Sequence, residues 1–149
     1  MNYMTAMIQL PLVRETKGVR VKTPEEAARI CADIQGLAQE TFHVLALNSK
    51  NNLIERQMVT MGIADASLVH AREVFRTAIL CNSAAVLLVH NHPSGDPAPS
   101  AEDLRITKQL IEAGKIMDIK VLDHIIIGRT IDGSKGFLSM REEGLCSFN

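Results

Sequence analysis

Apolar positions recur along the chain with two different periods, and the switches between them predict the order of elements. Ala27, Ile30, Cys31, Ile34, Leu37 and Ala38 fall three and four apart, the spacing of one helical face. Thr23, Pro24 and Glu26 precede them as a capping box with proline at the first helical position. A helix is therefore expected over 23–39, with Glu40 at its end. Residues 42–48 read as a strand, 49–52 as a polar turn and 53–61 as the return strand of a hairpin. After a turn over 62–67, Ala71, Val74, Phe75, Ala78 and Ile79 mark a second amphipathic helix that Asn82 and Ser83 end. Residues 84–89 are an unbroken apolar run, suited to a strand buried on both faces. A third helix follows to about Ala113, with Gly114 as its stop. Strands over 120–128 and 137–140 complete the series. This order predicts an α/β (α+β) fold, a mixed central sheet flanked by helices.

Composition narrows the picture. With 149 residues and 46% hydrophobic side chains, the chain can bury one good core. Its net charge is -1 with acids and bases interspersed, so no direct nucleic-acid binding and no anionic-membrane surface are expected. Cys31, Cys81 and Cys146 are odd in number and form no CxxC pair. Cys31 and Cys81 lie in apolar patterns and read as small core residues. No apolar run is long enough to span a membrane and the start lacks a signal core, so a cytoplasmic protein is expected. Residues 1–22 carry an apolar stretch broken by Pro11, which reads as an edge strand or an arm that packs on a second subunit in a homodimer. The domain proper is expected over 23–149.

The chemistry concentrates in residues 84–103. Residues two apart on an extended chain share a side, so His90 and His92 converge just past the strand end. A stiff loop containing Pro93, Gly95, Pro97 and Pro99 then delivers Ser100 and Asp103 to a helix start. Asp103 shares a stripe with Ile106 and Leu110, and an acid on a buried face requires a partner. Two readings stand side by side. Two histidines and a carboxylate with a fourth position open to water are how catalytic zinc is held. Alternatively, Ser100 and Asp103 cap a helix and His90 is a core histidine. Read alone, Glu40 is an exposed helix-end carboxylate. Asp123 and His124 read as solvent-facing residues at a strand start, in preference to partners that orient a ligand imidazole.

The spacing His90-x-His92, seven residues, Ser100, two residues, Asp103 resembles the JAMM signature of the MPN (JAB) metalloprotease domains. The wording HNHPSGDPAPSAED, with DHIIIG over 123–128, resembles their bacterial RadC-like branch. The likeness runs from about the helix before Glu40 to the C-terminus. It implies a cytidine-deaminase-like MPN/JAMM architecture and one zinc ion per chain, bound by His90, His92 and Asp103. It implies that Ser100 stabilises an oxyanion. Glu40 becomes the general base, because QETFHVLALN resembles the family's glutamate leading into its first long strand. The implied reaction is hydrolysis of a peptide or isopeptide bond in a peptide or protein substrate. The alternative is a DNA-repair-associated RadC-like protein acting as a non-catalytic scaffold or partner-binding module. Scaffolds of this family usually lack part of the ligand set kept here. The helix-hairpin-helix module of longer RadC-like proteins is expected to have no room in this chain. Deamination is disfavoured, because the PCxxC segment of zinc deaminases is missing.

Overall fold

The computed structural model describes residues 18–62, 68–131 and 133–148. The stretch over 4–13 and the turn over 63–67 therefore lie outside the described residues. Five strands form one mixed sheet: β1 (Glu40–Leu47), β2 (Leu53–Gly62), β3 (Ala85–Asn91), β4 (Lys120–Ile127) and β5 (Phe137–Ser139), in the order β2-β1-β3-β4-β5. Only β3 and β4 run parallel, and the crossover between them is the long helix α4 (Ala101–Met117). Around the sheet pack α1 (Pro24–Ile30), α2 (Ala71–Val74) and α3 (Arg76–Leu80). Among the described residues, no helix is long and apolar enough to cross a membrane.

Alternation along the strands divides the core in two. Phe42, Val44, Val86, Leu88 and Ile126 face α4, meeting Ile106, Leu110, Val74 and Phe75. Leu45, Leu47, Leu87, Val89, Ile125 and Ile127 face α1, meeting Ala27, Cys31 and Ile34. The central strand β3 is buried along its whole length, as its continuous apolar run requires. Val21 joins the α1 side, where its amide donates to the Asn51 carbonyl and secures the described end of the N-terminal stretch.

Several boundaries differ from expectation for visible reasons. The Thr23 capping box and Pro24 start α1 as expected, yet the helix closes after seven residues. Arg56, from β2, donates to the Ile30 carbonyl at 3.1 Å and pairs with Asp33 at 2.8 Å, satisfying the helix end from across the fold. A short 3-10 turn (Ala32–Ile34) follows, so Glu40 is the first residue of β1 and not the end of a helix. The helix expected after residue 70 is divided at Phe75, and Ile79 is exposed. Cys31 is buried, whereas Cys81 is only half-buried. Gly114 does not stop α4, which continues to Met117 and ends on Asp118 in the left-handed conformation. Glycine stands there because a Cβ would lie 2.3 Å from the Ile119 carbonyl oxygen, where the helix passes close to the chain entering β4.

Candidate metal centre

Three elements meet at the C-terminal end of β3. Glu40 opens β1 and faces the α4 side, as Phe42 does two residues on. His90 occupies the same face of β3, paired with Phe42 across the antiparallel ladder. Past the strand end, the His92 amide still donates to the Ile127 carbonyl, which keeps the chain extended and His92 on the side of His90. The proline-rich loop then crosses Gly128, where a Cβ would stand 2.3 Å from the Gly95 carbonyl oxygen, and delivers α4. Ser100 caps that helix: its hydroxyl accepts from the Asp103 amide at 3.0 Å, and Asp103 Oδ2 accepts from the Ser100 amide at 2.9 Å.

The structure thus brings Glu40, His90, His92 and Asp103 together, with one ligand atom of each lying within 4.8 Å of all the others. Among the described residues no other group of this kind occurs. His90 Nε2 lies 2.9 Å from His92 Nε2, 3.4 Å from Glu40 Oε1 and 3.5 Å from Asp103 Oδ1. His92 Nε2 lies 3.1 Å from Asp103 Oδ2 and 3.8 Å from Glu40 Oε1. A four-coordinate ion bound at ~2.0–2.1 Å separates its donors by about 3.3 Å, so this spacing fits a metal ion. The donor chemistry fits as well. His92 Nδ1 lies 2.8 Å from the main-chain oxygen of Asp96, which can only accept, so that nitrogen carries a hydrogen and the neutral ring directs its Nε2 lone pair inward. Inward lone pairs beside two carboxylates repel unless a cation or a proton lies between them. Asp103 completes the helix cap and at the same time belongs to the group that could hold a metal ion.

The electrostatics are those of buried, mutually dependent charges. Burial raises the Glu40 carboxyl, opposed by His90 and His92 and reinforced by Asp103. Burial acts on Asp103 in the same sense, but when the site holds no cation and the histidines are protonated, their bonds to it, the charge of His90 and the Ser100 amide outweigh burial and hold the carboxyl well below the usual range. Burial disfavours a charged His92, yet Asp103 and the Asp96 carbonyl prevail and raise it.

Three further residues, His124, Thr107 and Asn91, support the group, and the preferred sequence reading assigned none of them that role. His124 and Asp123 are not solvent-facing residues; both are buried. His124 Nε2 lies 2.7 Å from His90 Nδ1, and its Nδ1 lies 2.6 Å from Thr107 Oγ1. A register irregularity in β4 beside Val86 and Leu87 brings His124 onto the face of His90, where strict alternation from Val121 points it away. Asp123 instead accepts from the His124 and Arg141 amides and from the Ser139 hydroxyl, joining β4 to β5 and the segment after it. Asn91, between the two histidines, turns to the opposite face. Its Oδ1 accepts from the Thr41 amide at 2.7 Å and the Thr41 hydroxyl at 2.8 Å, and its Nδ2 donates to the Gln39 carbonyl at 3.0 Å. Both chain neighbours of Glu40 are thereby gripped. Signals for two of these residues were present: Thr107 is four after Asp103 on a helix, and Asn91 alternates with the histidines.

Comparison with known proteins agrees with this geometry. Residues 21–145 match the sequence profile described as RadC-like JAB domain. The UPF0758 protein of Listeria innocua is 47% identical over 137 residues, covering 91% of this chain and 59% of its own length. That of Shouchella clausii is 49% identical over 134 residues, covering 88% of this chain and 56% of its own. That of Geobacillus thermodenitrificans is 46% identical over 125 residues, covering 83% and 53%. The chain thus spans somewhat over half the length of these relatives.

Proposed function

The chain therefore belongs to the RadC-like JAB domain family, and from that premise we propose that it is a zinc-dependent hydrolase of the JAMM type, cleaving a peptide or isopeptide bond. The observation that carries this reading is the convergence of Glu40, His90, His92 and Asp103 on one point at a strand end. Two imidazoles and a carboxylate suit zinc, and His90, His92 and Asp103 are its ligands in this reading. Zinc, when bound, supplies a Lewis acid that brings the pKa of water toward about 7 and polarises an amide carbonyl.

The chain's own residues do the rest. Glu40 is the general base: it removes a proton from the attacking water and delivers it to the amine nitrogen as the C–N bond breaks. Burial raises its carboxyl, the direction that makes it a stronger base. Ser100 donates its hydroxyl proton to the developing oxyanion; that proton is not engaged when the oxygen accepts from the Asp103 amide. In this reading the stiff loop over 93–99, which leads from His92 to Ser100, walls one side of the substrate site. The near-neutral charge of the chain supports a peptide or protein substrate over a nucleic acid.

A Glu40→Gln variant tests this assignment with a library of fluorogenic peptides and an isopeptide-linked lysine substrate. The zinc-loaded parent chain cleaves a member of the set. The variant keeps its zinc and loses activity by roughly 10²- to 10⁴-fold, as removal of a general base does. Loss of zinc in the variant would make Glu40 a fourth ligand and overturn its role as base.

A further inference from the structure

Thr107 and His124 take no part in the chemistry above, yet both are fully buried beneath the metal-binding group. One atom fixes the direction of their hydrogen bonds. The main-chain oxygen of Asp103 can only accept, and Thr107 Oγ1 lies 2.6 Å from it, so the single hydroxyl proton of Thr107 is committed there. The Thr107 oxygen must then accept from His124, whose Nδ1 carries the hydrogen. Among the described residues, the partners of the His124 ring are Thr107, His90 and the edge of Phe42, none of them an acid. A fully buried imidazole whose ring bonds go only to a hydroxyl and another imidazole is disfavoured as a cation, so the ring is neutral and its Nε2 accepts. His90 Nδ1, 2.7 Å away, is left as the donor.

We propose that Thr107 and His124 are positioning residues that fix His90 as the Nδ1–H tautomer, directing its Nε2 lone pair at the point shared with Glu40, His92 and Asp103. The purpose of the device rests on the metal-site reading, but its hydrogen-bond directions do not. Ligand histidines generally need a partner for the second ring nitrogen. Here the partner is a neutral imidazole whose anchor is the backbone of another ligand, Asp103. The orientation of His90 is thereby tied to the helix that presents the third ligand. Phe42 stacks on His90 with ring centroids 5.9 Å apart and the planes at 12°, closing the open face of the ring.

The test is nitrogen-15 NMR of histidine-labelled whole chain, freed of metal by chelator, at about pH 8.5, above the histidine range. His90 should show a protonated Nδ1 and an unprotonated Nε2. Thr107→Val, nearly isosteric but without the hydroxyl, should give a mixture of His90 tautomers, and Thr107→Ser should restore the single form. In zinc competition titrations Thr107→Val should bind roughly 10- to 100-fold more weakly, the usual effect of losing such a partner. A protonated Nε2 on His90 in the parent chain would overturn the proposal, as would a Thr107→Val variant with unchanged tautomer and unchanged zinc affinity. A parent chain with the fixed tautomer and no zinc binding would sink the hydrolase reading while leaving this inference standing.

Discussion

Asn91→Ala tests how firmly the start of β1 is held in place beside the histidines of the candidate metal site. The substitution removes three hydrogen bonds, of 2.7, 2.8 and 3.0 Å, to the Thr41 amide, the Thr41 hydroxyl and the Gln39 carbonyl. Thr41 is buried, so its amide is left with no partner, and the hydroxyl must fall back on His43 Nε2 at 2.9 Å. An unsatisfied buried group costs about 1–3 kcal/mol, and the lost volume of the side chain adds to it. A total near 3 kcal/mol is expected, a large share of the ~5–15 kcal/mol that stabilises a domain. Urea denaturation followed by circular dichroism should show the midpoint falling by about 2 M for a slope near 1.5 kcal/mol/M. Hydrogen exchange gives the local readout: the Thr41 amide should lose protection beyond what the global change explains. A loss below about 0.5 kcal/mol, in the range of ordinary surface substitutions, would refute the reasoning. So would unchanged Thr41 protection.

Two other outcomes follow from buried groups. Burial, with Arg56 nearby, pushes His43 down to about 4; the unfolded ring titrates near 6.5, so stability is intact above that pH and is lost as pH falls toward 4. The loss is at most about 3 kcal/mol, and His43→Leu should flatten this acid limb in a pH series of urea titrations. Gly114→Ala gains up to about 1 kcal/mol in helix propensity but must displace the Ile119 carbonyl 2.3 Å from its new Cβ. Overpacking of that kind costs about 1–3 kcal/mol, so the variant should be less stable in urea; a more stable one would contradict the close packing.

What the sequence made legible was local. The two histidines, the loop and the acid lie within fourteen residues, and strand alternation plus helix phase suffice to bring His90, His92 and Asp103 to one face. Glu40 was reached by resemblance, because its place depends on β1 lying beside β3, which no short-range pattern reveals. His124 was missed for a related reason: its contact with His90 spans 34 positions and passes through the parallel pairing of β3 with β4 and an irregularity within it. The early end of α1 was hidden because Arg56 caps it from β2. Gly114 misled because glycine serves both to stop helices and to admit close neighbours, and the periodicity of α4 does not distinguish the two.

The central claim is that His90, His92 and Asp103 bind one zinc ion. Elemental analysis of the chain purified without chelator, side by side with Asp103→Ala, tests it most directly. Asp103 supplies Oδ1 and Oδ2 to the two histidines, while its loss from the helix cap should cost only about 1 kcal/mol and leave the variant folded. The parent chain should carry about one zinc per chain and folded Asp103→Ala should lose most of it, three protein ligands being the norm for catalytic zinc. A parent chain without metal, or a variant that keeps its full complement, would contradict the account.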